Sequence, residues 1–335
     1  MNKQDIERAK INVKCRKKAI GEINTCFFPG CNQRSINSHI LQKNGILSSI
    51  APDNHLWEIG INLFKSPIFQ LQKIGINKIF AFNCFCNDHD TNLFSEIEQP
   101  SEIDFTKYRI LLLFVVRTFY NELFRKKVLV SEFSCLEKKT SDVKKKEWLR
   151  ENVNQINKAI NDLVFWEKFI WQDYNQNTQS FVLEYRELSK ADLIMSSLYD
   201  YETTKDIQEH EYRTGRDKER LSSIFASFFP YKDKSILIKG YLKEDEKALK
   251  GHFNTFFKEY EKRVQRKLTN LLLFQCENWV CSQDFYDEKI NGKEDLFNNA
   301  INYSNKNDNE RRCFNINIFR NDFDTKFKEW DEKYA

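Results

Sequence analysis

Apolar positions in this chain fall into two kinds of pattern. Between residues 108 and 179 they recur at helical spacing. Tyr108–Leu129 is apolar on nearly every side and predicts a buried helix. Leu149, Val153, Ile156, Ile160 and Leu163 form a stripe along one or two long helices between Ser141 and Gln179. From Ser180 to Leu242 the period shortens. Phe181–Tyr185, Ile224–Phe229 and Ser235–Tyr241 predict strands, the last two joined as a hairpin through Pro230–Lys234. Tyr201–Arg220, polar and charged, reads as a loop. Lys247–Cys276 predicts one long amphipathic helix, and Phe314–Phe319 a short late strand.

The first hundred residues are more mixed. Residues 4–20 predict a basic helix and Ile40–Ile50 a second one. His55–Ile61 and Lys78–Phe82 predict strands, and a helix runs from about Cys86 to Glu98. Asp88 and Asp90 in its first turn suit the positive end of a helix dipole. Pro100-Ser101 marks a break, with Ser101 placed as an N-cap. The pattern describes an α+β chain with a boundary near residue 100. A module over 1–100 precedes a mainly helical region over 101–335 that carries a small antiparallel sheet.

Composition agrees. The 335 residues suffice for two domains. Only 9 Gly and 5 Pro favour long helices, and 29 Phe imply Phe-rich cores. The net charge of +4 is small, so its distribution matters more. Lys3, Arg8, Lys10, Lys14, Arg16, Lys17 and Lys18 face only Asp5 and Glu7 in the first twenty residues, and Lys144, Lys145, Lys146 and Arg150 form a second cluster. Such clusters are either solvated helix faces or contacts for a phosphate backbone. The longest apolar run, Ile110–Val116, is too short to span a bilayer, and the polar N-terminus has no signal-peptide pattern. Nine cysteines, an odd number in a chain of this size, argue against a disulfide framework and for a reducing cytoplasm. Arg117 and Glu122 on the apolar helix read as a structural ion pair or an exposed face.

Chemistry concentrates in two short pairs. Cys26 and Cys31 flank Phe27-Phe28-Pro29-Gly30, a tight turn that lets two thiolates converge. Cys86 and His89 stand two residues apart at a predicted helix start, which points both side chains the same way. Four soft N and S ligands in two close pairs suit structural Zn2+. Cys84 competes with Cys86 as ligand, and His55 reads as a turn residue. Gly-rich phosphate loops and Gly-x-Ser-x-Gly elbows are both absent from the sequence, which argues against nucleotide hydrolases and amide or ester hydrolases of that type.

The stretch Cys26–Glu98 resembles the HNH, or His-Me finger, endonuclease superfamily with its treble-clef zinc site. The likeness rests on Asn37-Ser38-His39 after the first pair and on Phe85-Cys86-Asn87-Asp88-His89-Asp90-Thr91-Asn92-Leu93-Phe94. It is most similar to bacterial members, some of which belong to phage-defence loci. The resemblance implies a metal-dependent nuclease. His39 matches the general base, Asp90 takes the place of a ligand for catalytic Mg2+ or Mn2+, and Asn37 or Asn92 orients base or phosphate. Cys26, Cys31, Cys86 and His89 would hold Zn2+. Ser38 stands where relatives often carry an acidic residue or a second histidine, and the first pair has four intervening residues where two are commoner. The implied partner is nucleic acid, DNA before RNA, with the helical region open to a protein partner or a second copy. A zinc-stabilised module that binds nucleic acid or protein without catalysis is the other reading.

Overall fold

The computed structural model describes residues 3–61, 69–98, 102–202, 204–216, 219–276, 278–295, 297 and 316–322. In chain order the elements begin with α1 (Lys3–Glu22), β1 (Asn37–His39), a short helical turn over 43–50, β2 (His55–Ile61) and β3 (Phe69–Gly75). There follow β4 (Ala81–Asn83), α2 (Asn87–Glu98), α3 (Tyr108–Lys139) and α4 (Val143–Gln176). The remainder comprises β5 (Phe181–Ser189), β6 (Leu193–Asp200), α5 (Thr204–Thr214), β7 (Ser223–Tyr231), β8 (Lys234–Leu242), α6 (Glu246–Lys258), α7 (Glu261–Phe274), β9 (Trp279–Cys281) and α8 (Gln283–Lys289). The fold is α+β.

The chain divides into two compact units. Of the described residues, one holds those of 3–42 and 80–179; the other holds those of 43–61, 69–79 and 180–322. This partition differs from a single cut near 100. The segment 43–79 supplies β2 and β3 to the second unit's sheet, and α3 and α4 belong to the first unit. Local periodicity reports elements, not the distant strands they pair with.

In the first unit, α3 is buried on almost every side from Ile110 to Phe124, as its uninterrupted apolar run requires. It packs along α4 and α1. Asp142 caps α4 by accepting the Lys145 N–H at 3.1 Å, and Asn177 ends it in the left-handed region at φ 54°. Cys15 of α1 and Cys135 of α3 form a disulfide, the one bridge among the described residues. The sequence argues against a disulfide framework, and this single bridge departs from a reading in which the cysteines sit on metal or are buried as free thiols. Cys15 and Cys135 lie 120 positions apart, so only the α1–α3 contact brings them together. Arg117 is buried, lies 4.0 Å over the Phe94 ring and pairs with Glu98, whereas Glu122 pairs with Arg125 and Lys126. The Pro100-Ser101 break lies outside the described residues.

The second unit is built on a seven-stranded antiparallel sheet in the order β3-β2-β9-β6-β7-β8-β5. This is a larger sheet than the small one expected. β6 escaped detection because Ser196 and Ser197 interrupt its apolar run. β6, β7 and β8 are buried along nearly their whole length, hence the continuous rather than alternating hydrophobicity of β7 and β8. The β7–β8 hairpin turns on Lys232 at φ 55°. At Gly240 a Cβ would come within 2.2 Å of the Leu183 side chain on the paired strand and 3.0 Å of the Val182 carbonyl, so a larger residue would have to displace Leu183. Met195, Tyr199, Ala226, Phe228, Leu237 and Tyr241 join Leu249, Phe253, Phe256, Leu268 and Leu272 of α6 and α7 in one core.

Further assignments differ from the sequence reading: Ile40–Ile50 holds only short helical turns over 43–50, Lys78–Phe82 is a turn that leads into β4, and β3 and β9 are strands the pattern does not predict. Tyr201–Arg220 contains the helix α5, which is polar on average and has only Ile207 and Tyr212 as large apolar residues, so its composition reads as a loop. Lys247–Cys276 is two helices, because α6 stops at Lys258 where Arg186 of β5 donates to the carbonyls of Phe256 and Glu259 at 2.9 and 2.7 Å. Of Phe314–Phe319, residues 316–319 are described. They form a 3-10 turn with one bridge from Asn317 to Asp322, not a strand.

Candidate metal centre

The first cysteine pair is shaped by its backbone. Thr25 and Arg34 pair as an isolated bridge, Cys26 N–H donates to the Gln33 carbonyl at 2.8 Å, and Cys31 N–H to that of Phe28 at 3.0 Å. Closing this turn needs a left-handed residue, which Gly30 provides at φ 76°. The second pair sits at the start of α2, where Asp90 N–H bonds the Cys86 carbonyl at 2.9 Å. A helix N-terminus favours anionic sulfur. The two pieces are tied together. Phe27 N–H donates to the Cys84 carbonyl at 3.0 Å, and Ile36 N–H to that of Phe85 at 2.8 Å.

The result is that one ligand atom from each of Cys26, Cys31, Cys86 and His89 lies within 4.8 Å of all the others. His89 Nδ1 is 3.1 Å from Cys86 Sγ and 3.5 Å from Cys26 Sγ. A tetrahedral ion with bonds of about 2.0–2.3 Å has ligands roughly 3.3–3.8 Å apart, so the cluster can hold a metal ion with little rearrangement. Cys84 is not in the cluster; it is fully buried, and burial pushes its thiol well up. The geometry therefore selects Cys86 over Cys84. Burial raises the Cys26 thiol to about 11, against backbone N–H donors from Cys86 and Phe28 that lower it. An enclosed cation would favour the thiolate and reverse the net effect.

Aromatic rings brace the histidine. Phe28 stacks on His89 at 3.8 Å between centroids and meets Trp171 of α4 edge-on at 5.0 Å. Trp171 Nε1 donates to Tyr120 Oη at 2.7 Å, and Tyr120 donates to Glu167 at 2.7 Å. These ring contacts join residues far apart in sequence and carry no spacing signal.

Beside the cluster, β1 pairs antiparallel with β4 and lays Asn37, Ser38 and His39 against Asn83, Phe82 and Ala81. Ser38 is buried and donates to Asp90 Oδ1 of α2 at 2.7 Å. Sequence reasoning named Asn37, His39 and Asp90 but missed Ser38 as the link between strand and helix. Side chains alternate along a strand, so Asn37 and His39 project from the face of β1 opposite Ser38. His39 is half-buried and Asn37 exposed. Asn92 lies farther along α2 and is exposed. His55 begins β2, bonds the Asp53 carbonyl through Nδ1 at 2.8 Å and is not in the cluster.

The second unit has its own buried polar group. Lys239 of β8 is fully buried, 3.5 Å from the Phe256 ring centroid, and donates to Tyr199 Oη at 2.6 Å. Tyr199 Oη lies 3.1 Å from His252 Nε2, and His252 stacks on Tyr201. Burial pushes the Lys239 amine well below its ordinary value, with Cys276 raising it and Lys267 lowering it further. A lone lysine in the apolar run Ile236–Tyr241 was the signal available in sequence.

No helix among the described residues is long and apolar enough to cross a membrane. Compared with known protein families, with curated proteins and with solved structures, the chain has no match.

Proposed function

We propose that the first unit is a zinc-braced module of the HNH type that hydrolyses phosphodiester bonds in nucleic acid, DNA in the first instance. The observation that carries the reading is the convergence of Cys26, Cys31, Cys86 and His89 at the point where the Asn37-Ser38-His39 strand meets α2. Zn2+ in that cluster would fix the turn to the helix and contribute directly to folding. His39, as a half-buried imidazole at the strand end, would take the proton from the attacking water. Asp90 accepts the Ser38 hydroxyl through Oδ1, which would hold the carboxylate still and leave Oδ2 for a hard cation. When bound there, Mg2+ or Mn2+ would supply charge stabilisation at the scissile phosphate. Asn37, exposed beside His39, would contact the phosphate.

A second reading has a specific observation in its favour. The Ser38–Asp90 bond turns one acidic oxygen inward, and strand alternation sends His39 to the other face. That arrangement suits a module in which zinc only holds a nucleic-acid-binding fold. Plasmid nicking separates the two. Cleavage that needs Mg2+ or Mn2+ and disappears in His39→Ala, with zinc retained, supports hydrolysis. Zinc-loaded wild-type protein that binds DNA and never nicks it establishes the second reading. A role in phage defence belongs to the first and would be read as reduced plaque formation that depends on His39.

A further inference from the structure

The turn between α3 and α4 carries an unusual density of positive charge. Lys138, Lys139, Lys144, Lys145 and Lys146 fall within nine residues whose sole acid is Asp142. Asp142 is occupied as the N-cap of α4. Lysines at the end of α3 complement its dipole, but Lys144–Lys146 stand at the start of α4, where positive charge is unfavourable. Their presence there works against helix stability and so calls for another explanation.

Helix α1 adds to the same end of the unit. The Cys15–Cys135 disulfide and the packing of Cys15, Leu136 and Leu149 with Ile11 and Phe133 hold α1 against this end of α3 and α4. Lys10, Lys14 and Lys17 are exposed and share one face of α1 by their spacing of four and three. Several local carboxylates are already engaged, and Glu147 follows Lys146 directly. Glu132 meets Arg16 at 3.0 Å, Glu137 meets Arg150 at 2.7 Å, and Glu22 accepts from Ser131 at 2.7 Å and meets Lys18 at 3.6 Å. Over residues 3–22, 132–139 and 142–151 the chain has 13 Lys and Arg against 8 Asp and Glu. This surplus of five exceeds the net +4 of the whole protein.

We propose that the α3–α4 turn and the adjoining face of α1 form a docking surface for the phosphate backbone of nucleic acid, separate from the metal centre. The choice of nucleic acid among polyanions rests on the function proposed above; the charge itself does not. A lipid surface fits less well: Ala9, Cys15 and Ala19 of α1 are buried within the unit, and the exposed large apolar residues on α1 and at the start of α4 are few, Ile6, Ile20, Val143 and Trp148. Trp148, 57% exposed beside Lys144–Lys146, is placed to lie against a sugar or base.

The test uses the full chain and a fluorescein-labelled 30-base-pair duplex of random sequence, read by anisotropy across a salt series. Two triple variants reverse charge at Lys144, Lys145 and Lys146 or at Lys10, Lys14 and Lys17, each to Glu. A control triple reverses the exposed Lys232, Lys234 and Lys247 of the second unit, so the net charge changes equally. Circular dichroism verifies folding of each. The proposal expects affinity about tenfold lower or worse for both test triples at 0.1 M salt, a salt slope reduced by about 2 to 3, and little change in the control. Equal loss in the control, no loss in the test triples, or tighter binding to phosphatidylserine vesicles than to DNA would overturn it. His39→Ala keeps the two proposals apart. Binding retained without cleavage leaves this surface standing whatever becomes of hydrolysis, and wild-type cleavage that the triples do not alter removes the surface alone.

Discussion

Each unit of this protein buries chemistry, but by opposite means. In the first, three thiols and an imidazole are drawn to one point by a glycine turn, a helix start and the connection between them. In the second, a single amine, Lys239, is enclosed by Phe256 and Tyr199 and leads through Tyr199 to His252. The first arrangement is complementary to an added cation and is stabilised by one. Among the described residues the second has no carboxylate on its amine, so burial itself makes the charged state unfavourable. One cluster is a place to put a charge, and the other is a place that expels it.

The difference predicts opposite responses to change. The largest effect is expected in the first unit. Cys86→Ser should abolish tight metal retention and unfold the turn and α2, because structural zinc can contribute about 10 kcal/mol or more to a small site. Amide exchange across residues 24–42 and 80–98 should rise sharply while the second unit's sheet, β2 and β3 included, stays protected. Uniform protection in the variant would mean that the ligands do not hold the module.

Next in size is the disulfide. Reduction, or Cys15→Ser with Cys135→Ser, should destabilise the first unit by up to about 5 kcal/mol, since the bridge closes a loop of some 120 residues. Denaturant melts with and without reductant measure it. The α1–α3 contact should loosen first.

Lys239→Met should do the reverse in the second unit. Removing a buried amine is expected to stabilise it by on the order of 1 kcal/mol or more at neutral pH. The pH dependence gives the sharper reading. The folded amine loses its proton below the ordinary lysine range, so between those two values the unfolded chain binds more protons, and stability rises with pH across that window. Above the unfolded value of about 10.4 the penalty vanishes. The variant should lose this rise. A wild type whose stability is flat from neutral pH to 10 would show that the amine is charged and accommodated.

The smallest effect concerns the strand–helix link. Ser38→Ala should cost about 1 kcal/mol and free the Asp90 carboxylate. Nicking activity should fall with zinc content unchanged, which separates positioning of Asp90 from integrity of the metal site.

Much of the first cluster was legible because its ligands come as two short pairs, and spacing within five positions is a local property. The long helices and the strands β2, β5, β7 and β8 were legible for the same reason. What escaped was non-local. Ser38 meets Asp90 across 52 residues, Cys15 meets Cys135 across 120, and α6 ends on an arginine from β5 about 70 positions away. The boundary near 100 missed the excursion of β2 and β3 because their sheet partner, β9, lies beyond residue 278. Lys239 was visible as an oddity in an apolar run, but its partners were not.

The most direct test is metal content. The full chain purified without added metal should contain one zinc per molecule by elemental analysis, retained through dialysis and lost in Cys26→Ser, Cys31→Ser and Cys86→Ser. Protein that is folded and free of zinc, or zinc that survives removal of those thiols, would contradict the account.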